Sequence, residues 1–597
     1  MADLPLRPVP TPKQSYSKDK SGRGEQPYSD HSSFDSYHKV KNEVVPFCDV
    51  YLDNSNTISL LLRPTDPTPS NYSLDLKSKP DKNLTHWIDF KTEILKLAQN
   101  LKLDGWQNIP VECAQHIGVE RVSGALTNAV YVISQPTFLR SISSGHEDQH
   151  AKHSSDKALL RIYGHQFNQL IDRENELRIL KRLAQKNIGP KVLGTFKNGR
   201  FEEYFHAKTL GAEDIRNIDT SKQIAKRMRE LHDGVELLEQ ERNEGPFVWR
   251  NWDKWIDRCE EIMKILDDSV RTHEQHGILR NWKTRGFVCG VEWPQFKSAA
   301  EKYRKWLNDY CGKENIRQNL VFAHNDTQYG NILRLLPENH VASFTPPPLL
   351  PDNTYKNLVF IDFEYASANT PGLELANHFS EWCYNYHSPT KPWLCDTKKY
   401  PSLEEQKVFI TSYVTHRSQF NPRMPIISEV NNLKRSYNFG LSNSQDRSDS
   451  VTNLGCSTIN QESLLQEPLD ELEVQKQVLE LLEETRIWRA ANSCQWIIWG
   501  IVQAQIPELF NTSTTHNLDR TVEAGIAAIP TSCTGTIEQT TEPFDNAEVT
   551  EHDEGYDYLS YALDRALFFW GDLLSLGIVS KEELPSELIE RIKFVNN

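Results

Sequence analysis

Apolar positions in the first third of the chain follow two different periods. Short apolar runs with turn residues between them are typical of strands. These runs lie at His116–Arg121, Ala129–Ser134 and Ala158–Tyr163. Helical spacing precedes them in Trp87–Leu101 and follows them in a stretch that ends at Gly189-Pro190. The apolar face of that second helix is marked by Leu177, Leu180, Leu183 and Ala184.

Two further runs, Val192–Phe196 and Phe201–Phe205, flank the dipeptide Asn198-Gly199. Asn-Gly between apolar runs is a strong hairpin signal. We therefore expect an antiparallel sheet with one inserted helix over residues 80–210.

The second half of the chain is dominated by helical periods. They include a helix marked by Ile224, Met228 and Leu231 and longer helices at Trp249–Ile265 and Val474–Gln505. Two short strands, Asn319–Phe322 and Leu358–Ile361, interrupt them. A small β-rich lobe followed by a larger helical lobe is an α+β fold with the bilobal plan of protein kinases.

These periods suggest boundaries for the parts of the chain. We expect a disordered tail at 1–45, an extension at 46–80 with one strand at Ile58–Leu62, a nucleotide-binding N-lobe at 81–210 and a catalytic C-lobe at 211–597. Within the C-lobe, 334–356 is Pro-rich, 437–468 is rich in Ser, Asn and Gln, and 511–553 is Thr-rich and then acidic. We interpret these three segments as flexible surface insertions.

Composition narrows the class of protein. The 597 residues are 38% hydrophobic and 10% aromatic, which is typical of a globular protein. A net charge of −15 without a long Lys/Arg run argues against nucleic-acid binding. The ten cysteines form no C-x-x-C pair, the N-terminus lacks an apolar leader, and no apolar run is long enough for a membrane span. We therefore expect a cytoplasmic protein with free thiols.

The segment Leu320–Arg334 reads as strand, loop and strand, and it carries the clearest chemistry. It contains Asp326 and Asn331 five positions apart, the spacing of the catalytic loop of kinases. An Asp there accepts the proton of an attacking hydroxyl, and an Asn carbonyl is a hard oxygen ligand for Mg²⁺. We place His324 in the same catalytic loop, where we expect it to brace the backbone by hydrogen bonding.

The next strand, in Asn357–Ala366, ends at Asp362. A carboxylate at that place can bridge Mg²⁺ to phosphate oxygens, as the Asp of a kinase Asp-Phe-Gly does. Here the third position carries Glu364, a second carboxylate. Upstream, Arg161 on a strand and Glu176 on the following helix suit a phosphate-holding pair, although an ordinary surface ion pair has the same pattern.

The loop between the first two strands, Arg121–Asn128, has one Gly and several small polar residues. Backbone N–H groups in such a loop can approach phosphates, but a simple hairpin loop has a similar composition. Its candidate phosphate contacts are Ser123, Gly124, Thr127 and Asn128.

The stretches HNDTQYGN, FIDFEYA and NHFSEWCYNY resemble the choline/ethanolamine kinase family, and most of all its fungal choline kinase members. The similarity runs over residues 85–510 and resumes at 555–580. The resemblance implies a kinase-like fold and Mg²⁺-dependent transfer of the ATP γ-phosphate to choline. It also implies entry into the CDP-choline route to phosphatidylcholine and commonly a homodimer.

By motif, Asp326 resembles the catalytic base of that family, Asn331 and Asp362 its metal ligands, and Arg161 and Glu176 its phosphate-holding pair. The substrate positions carried over are Gln328, Glu364, Glu381, Tyr386, Trp496, Trp499 and Tyr561. The aromatic members and Glu381 also suit a quaternary ammonium, which has no N–H to donate and is bound by aromatic faces and a carboxylate. Each aromatic taken singly is equally compatible with core packing.

Three alternatives stay open. Ethanolamine kinases share every catalytic motif quoted above. Aminoglycoside phosphotransferases have this fold plan, but their many-amine substrates favour an acidic groove over an aromatic cage. A catalytically inactive, kinase-like scaffold is the third, and the chemically competent residues at 161, 176, 326, 331 and 362 argue against it.

Overall fold

The computed structural model describes residues 45–54, 82–122, 128–138, 156–163, 173–272, 286–336, 351–420, 471–504 and 556–595. The chain divides into two units, residues 1–44 and residues 45–597, and every described residue belongs to the second. The strand predicted at Ile58–Leu62, the loop residues 123–127 and the insertions at 437–468 and 511–553 lie outside the described residues.

A six-stranded sheet forms the first lobe, with the strand order β1-β5-β6-β4-β3-β2. Its strands are β1 (Phe47–Cys48), β2 (Gly118–Arg121), β3 (Asn128–Ser134), β4 (Lys157–Tyr163), β5 (Val192–Phe196) and β6 (Gly199–Glu203). Helix α1 (Lys82–Asn100) packs against it, and Ile94 shares a buried core with Tyr131, Leu160 and Phe201. The predicted helix at 87–101 and the predicted strands are thus confirmed.

The β5–β6 hairpin turns at Lys197 and Asn198, so β6 begins at Gly199 rather than at Phe201. The Asn198 side chain accepts a hydrogen bond from the Leu52 N–H and donates one to the Leu52 carbonyl, both at 2.9 Å. A Cβ on Gly199 would lie 2.3 Å from the Arg161 carbonyl oxygen, which explains the glycine. The turn residue therefore fixes the extension before α1 against the sheet.

Helix α2 (Arg173–Gln185) belongs to the first lobe in sequence but packs with the second. Its Ile179, Leu180 and Leu183 are part of the large core of the second lobe, whereas the predicted face residues Leu177 and Ala184 are only half-buried. Arg182 of α2 also pairs with Glu241 at 2.6 Å. The helix is therefore held by the second lobe while its strand neighbours stay in the sheet.

The second lobe is built mainly from helices around that core. They are α3 (Ile218–Gly234), α4 (Glu239–Glu244), α5 (Phe247–Thr272), α6 (Trp293–Cys311), α7 (Lys313–Gln318), α8 (Pro371–Glu381), α9 (Leu403–Thr415), α10 (Glu471–Gln503), α11 (Tyr558–Ser575) and α12 (Ser586–Ile589). Helix α10 contacts α5, α8, α9 and α11, and it is buried on all sides from Ile487 to Ile501. Within the described ranges, no helix is both long and apolar enough to cross a membrane.

Five short strands connect these helices. They are β7 (Ala207–Thr209), β8 (Val321–Ala323), β9 (Ile332–Leu335), β10 (Leu358–Phe360) and β11 (Ser367–Asn369). One antiparallel sheet has the order β10-β9-β7, and β11 pairs with β8. The result is an α+β fold with a sheet-containing lobe and a larger helical lobe, as the sequence predicts.

The first predicted insertion, 334–356, is ordered at both ends, which corrects that prediction. Arg334 lies in β9 and donates a 2.8 Å hydrogen bond to the Thr220 hydroxyl. A 3₁₀ helix, Pro351–Asn357, forms the other end, and its Tyr355 hydroxyl donates to buried Glu230 at 3.3 Å. Specific polar partners on α3 thus order residues whose composition resembles a loop.

A buried ion pair joins α10 to α11. The Arg489 guanidinium donates to the Asp572 carboxylate at 2.6 and 3.0 Å, and both side chains are at most 4% exposed. Arg489 also stacks on Tyr400 and Phe568. A single substitution here would leave an unpaired buried charge.

We expect Arg489→Met to lower the free energy of unfolding by about 3–5 kcal/mol, because Asp572 loses its partner. The double substitution Arg489→Met/Asp572→Leu should recover most of that loss. Lys305→Ala, which breaks an exposed pair with Asp309, should change the free energy by less than about 0.5 kcal/mol. Urea unfolding followed by tryptophan fluorescence measures all three, and equal losses for Arg489→Met and Lys305→Ala would contradict this account.

Candidate active site

The loop between β8 and β9 holds Asp326 and Asn331 as a bonded pair. The Asn331 amide nitrogen donates to the Asp326 carboxylate at 2.8 Å and to the Asp326 carbonyl at 3.0 Å. With its nitrogen engaged in this way, Asn331 offers its amide oxygen as a metal ligand. The five-residue spacing therefore closes a compact turn in which both side chains serve one site.

His324 braces this loop, as the sequence analysis expects. Its Nε2 lies 2.9 Å from the Ile361 carbonyl oxygen, so it donates the hydrogen bond. Complete burial lowers the pKa of His324 to about 4, and the ring is therefore neutral near pH 7. It also packs against Phe360 and Phe363. The geometry gives His324 a structural contact rather than a chemical step.

Asp362 stands directly after β10, in a left-handed conformation with φ 65° and ψ 64°. Strand register pairs Phe360 with Ile332, and the Ile361 N–H donates to the Asn331 carbonyl at 3.0 Å. The backbones that carry Asn331 and Asp362 are therefore neighbours.

An amide oxygen and a carboxylate suit Mg²⁺, which usually keeps several waters and takes one or two protein ligands plus substrate phosphates. In the part of the chain that the structure describes, no group of three His, Cys, Asp or Glu residues forms a ready-made metal cage. The two donors Asn331 and Asp362 are of the oxygen type and number that Mg²⁺ usually takes from a protein.

Acidic side chains are concentrated around Asp326. Burial raises the pKa of Asp326 well above its usual range, and the charges of Glu381, Asp362 and Glu364 raise it further. This coupling shows that the loop, the segment after β10 and the end of α8 converge on one place. Like charges so close together favour the binding of cations.

The predicted pair Arg161–Glu176 belongs to a network of four side chains, in which burial lowers the pKa of Arg161 and the charge of Glu176 is among those that raise it. Glu176 accepts a 2.6 Å hydrogen bond from Arg200, which also pairs with Glu202 at 2.5 Å. Arg161 lies 3.5 Å from Glu202 and donates to Asp362 at 3.2 Å. β4–β6 pairing sets Arg161 opposite Arg200, so two arginines share the acids. Arg161 thus links the first lobe to the candidate metal site.

The structure describes the predicted phosphate loop only at its two ends. Ser123, Gly124 and Thr127 lie outside the described residues, and Asn128 is described only as the first residue of β3. Their assignment stays a prediction.

The aromatic positions and Glu381 lie close to one another, and their role as a substrate cage stays a prediction. Trp496 and Trp499 meet edge to face with ring centroids 5.5 Å apart, and Tyr561 lies 5.9 Å from Trp499. The Tyr386 hydroxyl donates to Glu381 at 2.7 Å. Burial raises the pKa of Tyr561, and the charge of Asp326 raises it further, so this cage borders the catalytic loop. Gln328 and Glu364 are both half-buried, Gln328 within the catalytic loop and Glu364 within the 3₁₀ helix Phe363–Tyr365 that follows Asp362.

Three residues that the sequence analysis missed orient the two tryptophans. The Trp496 N–H lies between the side-chain oxygens of Asn377 and Asn492, at 2.9 and 3.1 Å. The Trp499 N–H donates to the Tyr365 hydroxyl at 2.9 Å. Because each N–H is engaged, the ring faces are fixed. All three lie in or near segments that the sequence analysis singled out, but nothing in the pattern indicates their partners.

Asn325 and Glu374 were also missed, and they hold the catalytic loop on α8. Asn325 has φ 65°, and its N–H donates to the Glu374 carboxylate at 2.9 Å. Its side chain bonds the Tyr365 carbonyl and the Asn369 amide. Glu374 is fully buried near the start of α8, where a carboxylate is favoured by the helix dipole. The only sequence signal is a carboxylate that stands between Leu373 and Leu375 in the first turn of the helix.

Burial raises the pKa of Glu374 from 4.5 to about 7. The folded chain therefore binds this proton more tightly than the unfolded chain, and Glu374 makes folding less favourable as the pH rises from about 4.5 to about 7. Glu374→Gln stays neutral and keeps an oxygen for the Asn325 N–H. We expect its free energy of unfolding, relative to the original chain, to increase across that range.

Urea unfolding at pH 5, 6 and 7 measures this difference, with exposed Glu404→Gln as the matched control. A difference between Glu374→Gln and the original chain that stays constant with pH would show that Glu374 keeps its ordinary protonation.

Comparison with known proteins agrees with these motifs. A family model described as choline/ethanolamine kinase matches residues 119–570, and one described as choline kinase N terminus matches residues 41–115. A choline kinase of Saccharomyces cerevisiae is 32% identical over 528 residues, which is 83% of this chain and 77% of that protein. A choline kinase of Schizosaccharomyces pombe is 31% identical over 69% of this chain and 76% of its own. An ethanolamine kinase of S. cerevisiae is 25% identical over 83% of this chain and 78% of its own.

Proposed function

Because the chain belongs to the choline/ethanolamine kinase family, we propose that it transfers the γ-phosphoryl group of ATP to the hydroxyl of choline, giving phosphocholine and ADP. ATP is the co-substrate of this family. One observation supports the proposal most strongly: the Asp326–Asn331 pair and Asp362 lie beside a cage of tryptophans, tyrosines and a carboxylate. The loop suits phosphoryl transfer, and the cage suits a quaternary ammonium.

In this reaction Asp326 receives the proton of the choline hydroxyl. The hydroxyl oxygen forms a bond to the γ-phosphorus, the bond from phosphorus to the leaving ADP oxygen breaks, and the proton passes to the Asp326 carboxylate. Burial and, after it, the neighbouring acids raise the pKa of Asp326. Bound cations oppose that effect, so a metal and an ammonium group favour the ionised, proton-accepting form.

We assign Mg²⁺ to Asn331 and Asp362, where it would neutralise charge on the phosphates. Arg161 is the described side chain best placed to hold phosphate oxygens, since it already donates to Asp362 and its planar fork suits them. Glu176 and Glu202 then act indirectly, by fixing Arg200 and Arg161 in the sheet.

Ethanolamine is the second candidate acceptor, because the chain is also similar to an ethanolamine kinase. The cage favours choline. Its tryptophan N–H groups are already engaged, so it presents ring faces and one carboxylate to the ligand. A primary ammonium would leave N–H donors unmet there, at about 1–3 kcal/mol for each buried donor. A homodimer and a cytoplasmic location, which the resemblance implies, stay predictions.

Purified protein should form phosphocholine from choline and Mg²⁺-ATP, and chelation of divalent metal should abolish the reaction. Asp326→Asn should lower kcat roughly 10²–10⁴-fold, the usual contribution of general-base assistance. Nucleotide affinity should change little, because Asp326 bonds Asn331 and not the first lobe. Product formation measured by ³¹P NMR checks this, with exposed Asp309→Asn as the control. Folded protein that binds ATP but phosphorylates neither amino alcohol would favour the scaffold alternative.

Choline should be the better substrate, and Trp499→Ala should raise the KM for choline several-fold, as the loss of about 0.5–2 kcal/mol of cation–π attraction implies. The KM for ATP should stay nearly unchanged, and the preference over ethanolamine should narrow. Steady-state kinetics with both amines measures this. If Trp499→Ala raises the KM for both amines equally, these aromatics are core residues without a role in substrate selection.

A further inference from the structure

Arg565, on α11, is a buried cation without the hydrogen bonds that usually accompany one. Its side chain is 0% exposed, and none of its three guanidinium nitrogens has a hydrogen-bond partner among the described residues. Its nearest acid is Glu381, with Nη2 and Oε1 3.7 Å apart, beyond hydrogen-bond length. Burying a charge without hydrogen bonds is costly, so this arrangement needs a reason other than stability.

The contacts of Arg565 form a closed ring with the acidic part of the cage. The guanidinium lies 5.1 Å from the centre of the Tyr384 ring, and Tyr384 stacks on Tyr386 at 5.5 Å with an interplanar angle of 5°. Tyr386 donates its hydroxyl to Glu381 at 2.7 Å, and Glu381 completes the ring at Arg565. A substitution of Arg565 therefore alters the surroundings of Glu381 directly and also through the contacts of Tyr384 and Tyr386.

The charge of Glu381 depends on this arginine. Burial raises the pKa of Glu381, whereas Arg565 and the Tyr386 hydroxyl lower it. The other titratable groups that couple to Glu381 are Asp326, Tyr329, Tyr386, Tyr556, Tyr561 and Cys383, and none of them carries positive charge. Among these described groups, Arg565 is thus the cation that favours the ionised carboxylate.

Resting on the proposed function, we propose that Arg565 is a positioning and specificity-determining residue for the cationic substrate. It opposes the effect of burial on Glu381 and so favours the ionised carboxylate while the cage is empty, yet it forms no hydrogen bond that would occupy that carboxylate. Glu381 is then ready to balance an incoming trimethylammonium. The cage consequently selects positive charge as well as shape.

The test compares choline with 3,3-dimethyl-1-butanol, in which carbon replaces the charged nitrogen at unchanged shape. The dissociation constant of 3,3-dimethyl-1-butanol divided by that of choline, both measured by calorimetry with the full-length chain, reports charge selection alone. We expect Arg565→Met to reduce this ratio about tenfold or more, because Glu381 then loses the cation that favours its ionised form. Arg565→Lys should retain most of the ratio, and Arg304→Met, which removes an arginine stacked on Trp249 of α5, should not alter it.

A purely structural role of Arg565 would weaken the binding of both ligands alike. An unchanged ratio in folded Arg565→Met therefore overturns the inference. If that variant does not fold, Glu381→Gln and Glu381→Gln/Arg565→Met are compared, because the double substitution removes both charges of the buried pair. Equal ratios in these two variants support the proposal, since Arg565 then acts only through Glu381. A further loss in the double variant overturns it.

The two proposals fail in different ways. If the unaltered protein does not phosphorylate choline, the proposed function fails, and the inference fails with it. If it phosphorylates choline while Arg565→Met keeps the full preference for the charged ligand, the inference alone fails.

Discussion

Repulsion among carboxylates is the constraint around which the second lobe is arranged. Asp326, Asp362, Glu364 and Glu381 come from three separate segments, and burial together with the charges of the other three raises the pKa of Asp326. Such a cluster is stable only when cations balance it or when some members bind protons. Two arginines, Arg161 and Arg565, lie against opposite members of the cluster. The negative charge that these two arginines leave unbalanced would suit a metal ion and a cationic substrate.

Holding these acids in place requires a rigid frame, which short elements provide. β9 and β10 pair so that Asn331 and Asp362 are neighbours, and Asn325 ties the same loop to Glu374 on α8. Both Asn325 and Asp362 have a left-handed backbone, a conformation that non-glycine residues seldom adopt. Such local strain is tolerated where surrounding contacts determine the geometry, as they do at this site.

Local patterns in the sequence predicted much of this structure. The strands, the central helices and the loop from Asp326 to Asn331 follow from periodicity and from spacing within one segment. Partners across the fold did not follow. Glu176 has the right place on its helix, yet it bonds Arg200, because β4–β6 register sets two arginines side by side. Glu374 and Arg565 are charged residues on largely buried helices, and no local pattern shows which distant group each one meets.

The ion pair between Arg161 and Asp362 has a consequence for the order of events at the site. On the proposed assignment, Asp362 already has a counterion before any metal arrives, so a free divalent ion competes with a fixed guanidinium. A nucleoside triphosphate would change that competition, because its oxygens would offer the Arg161 guanidinium another partner and would supply further ligands to a metal held by Asp362. Occupancy by metal and by nucleotide thus becomes a single cooperative exchange of partners, and neither ligand gains the full site alone.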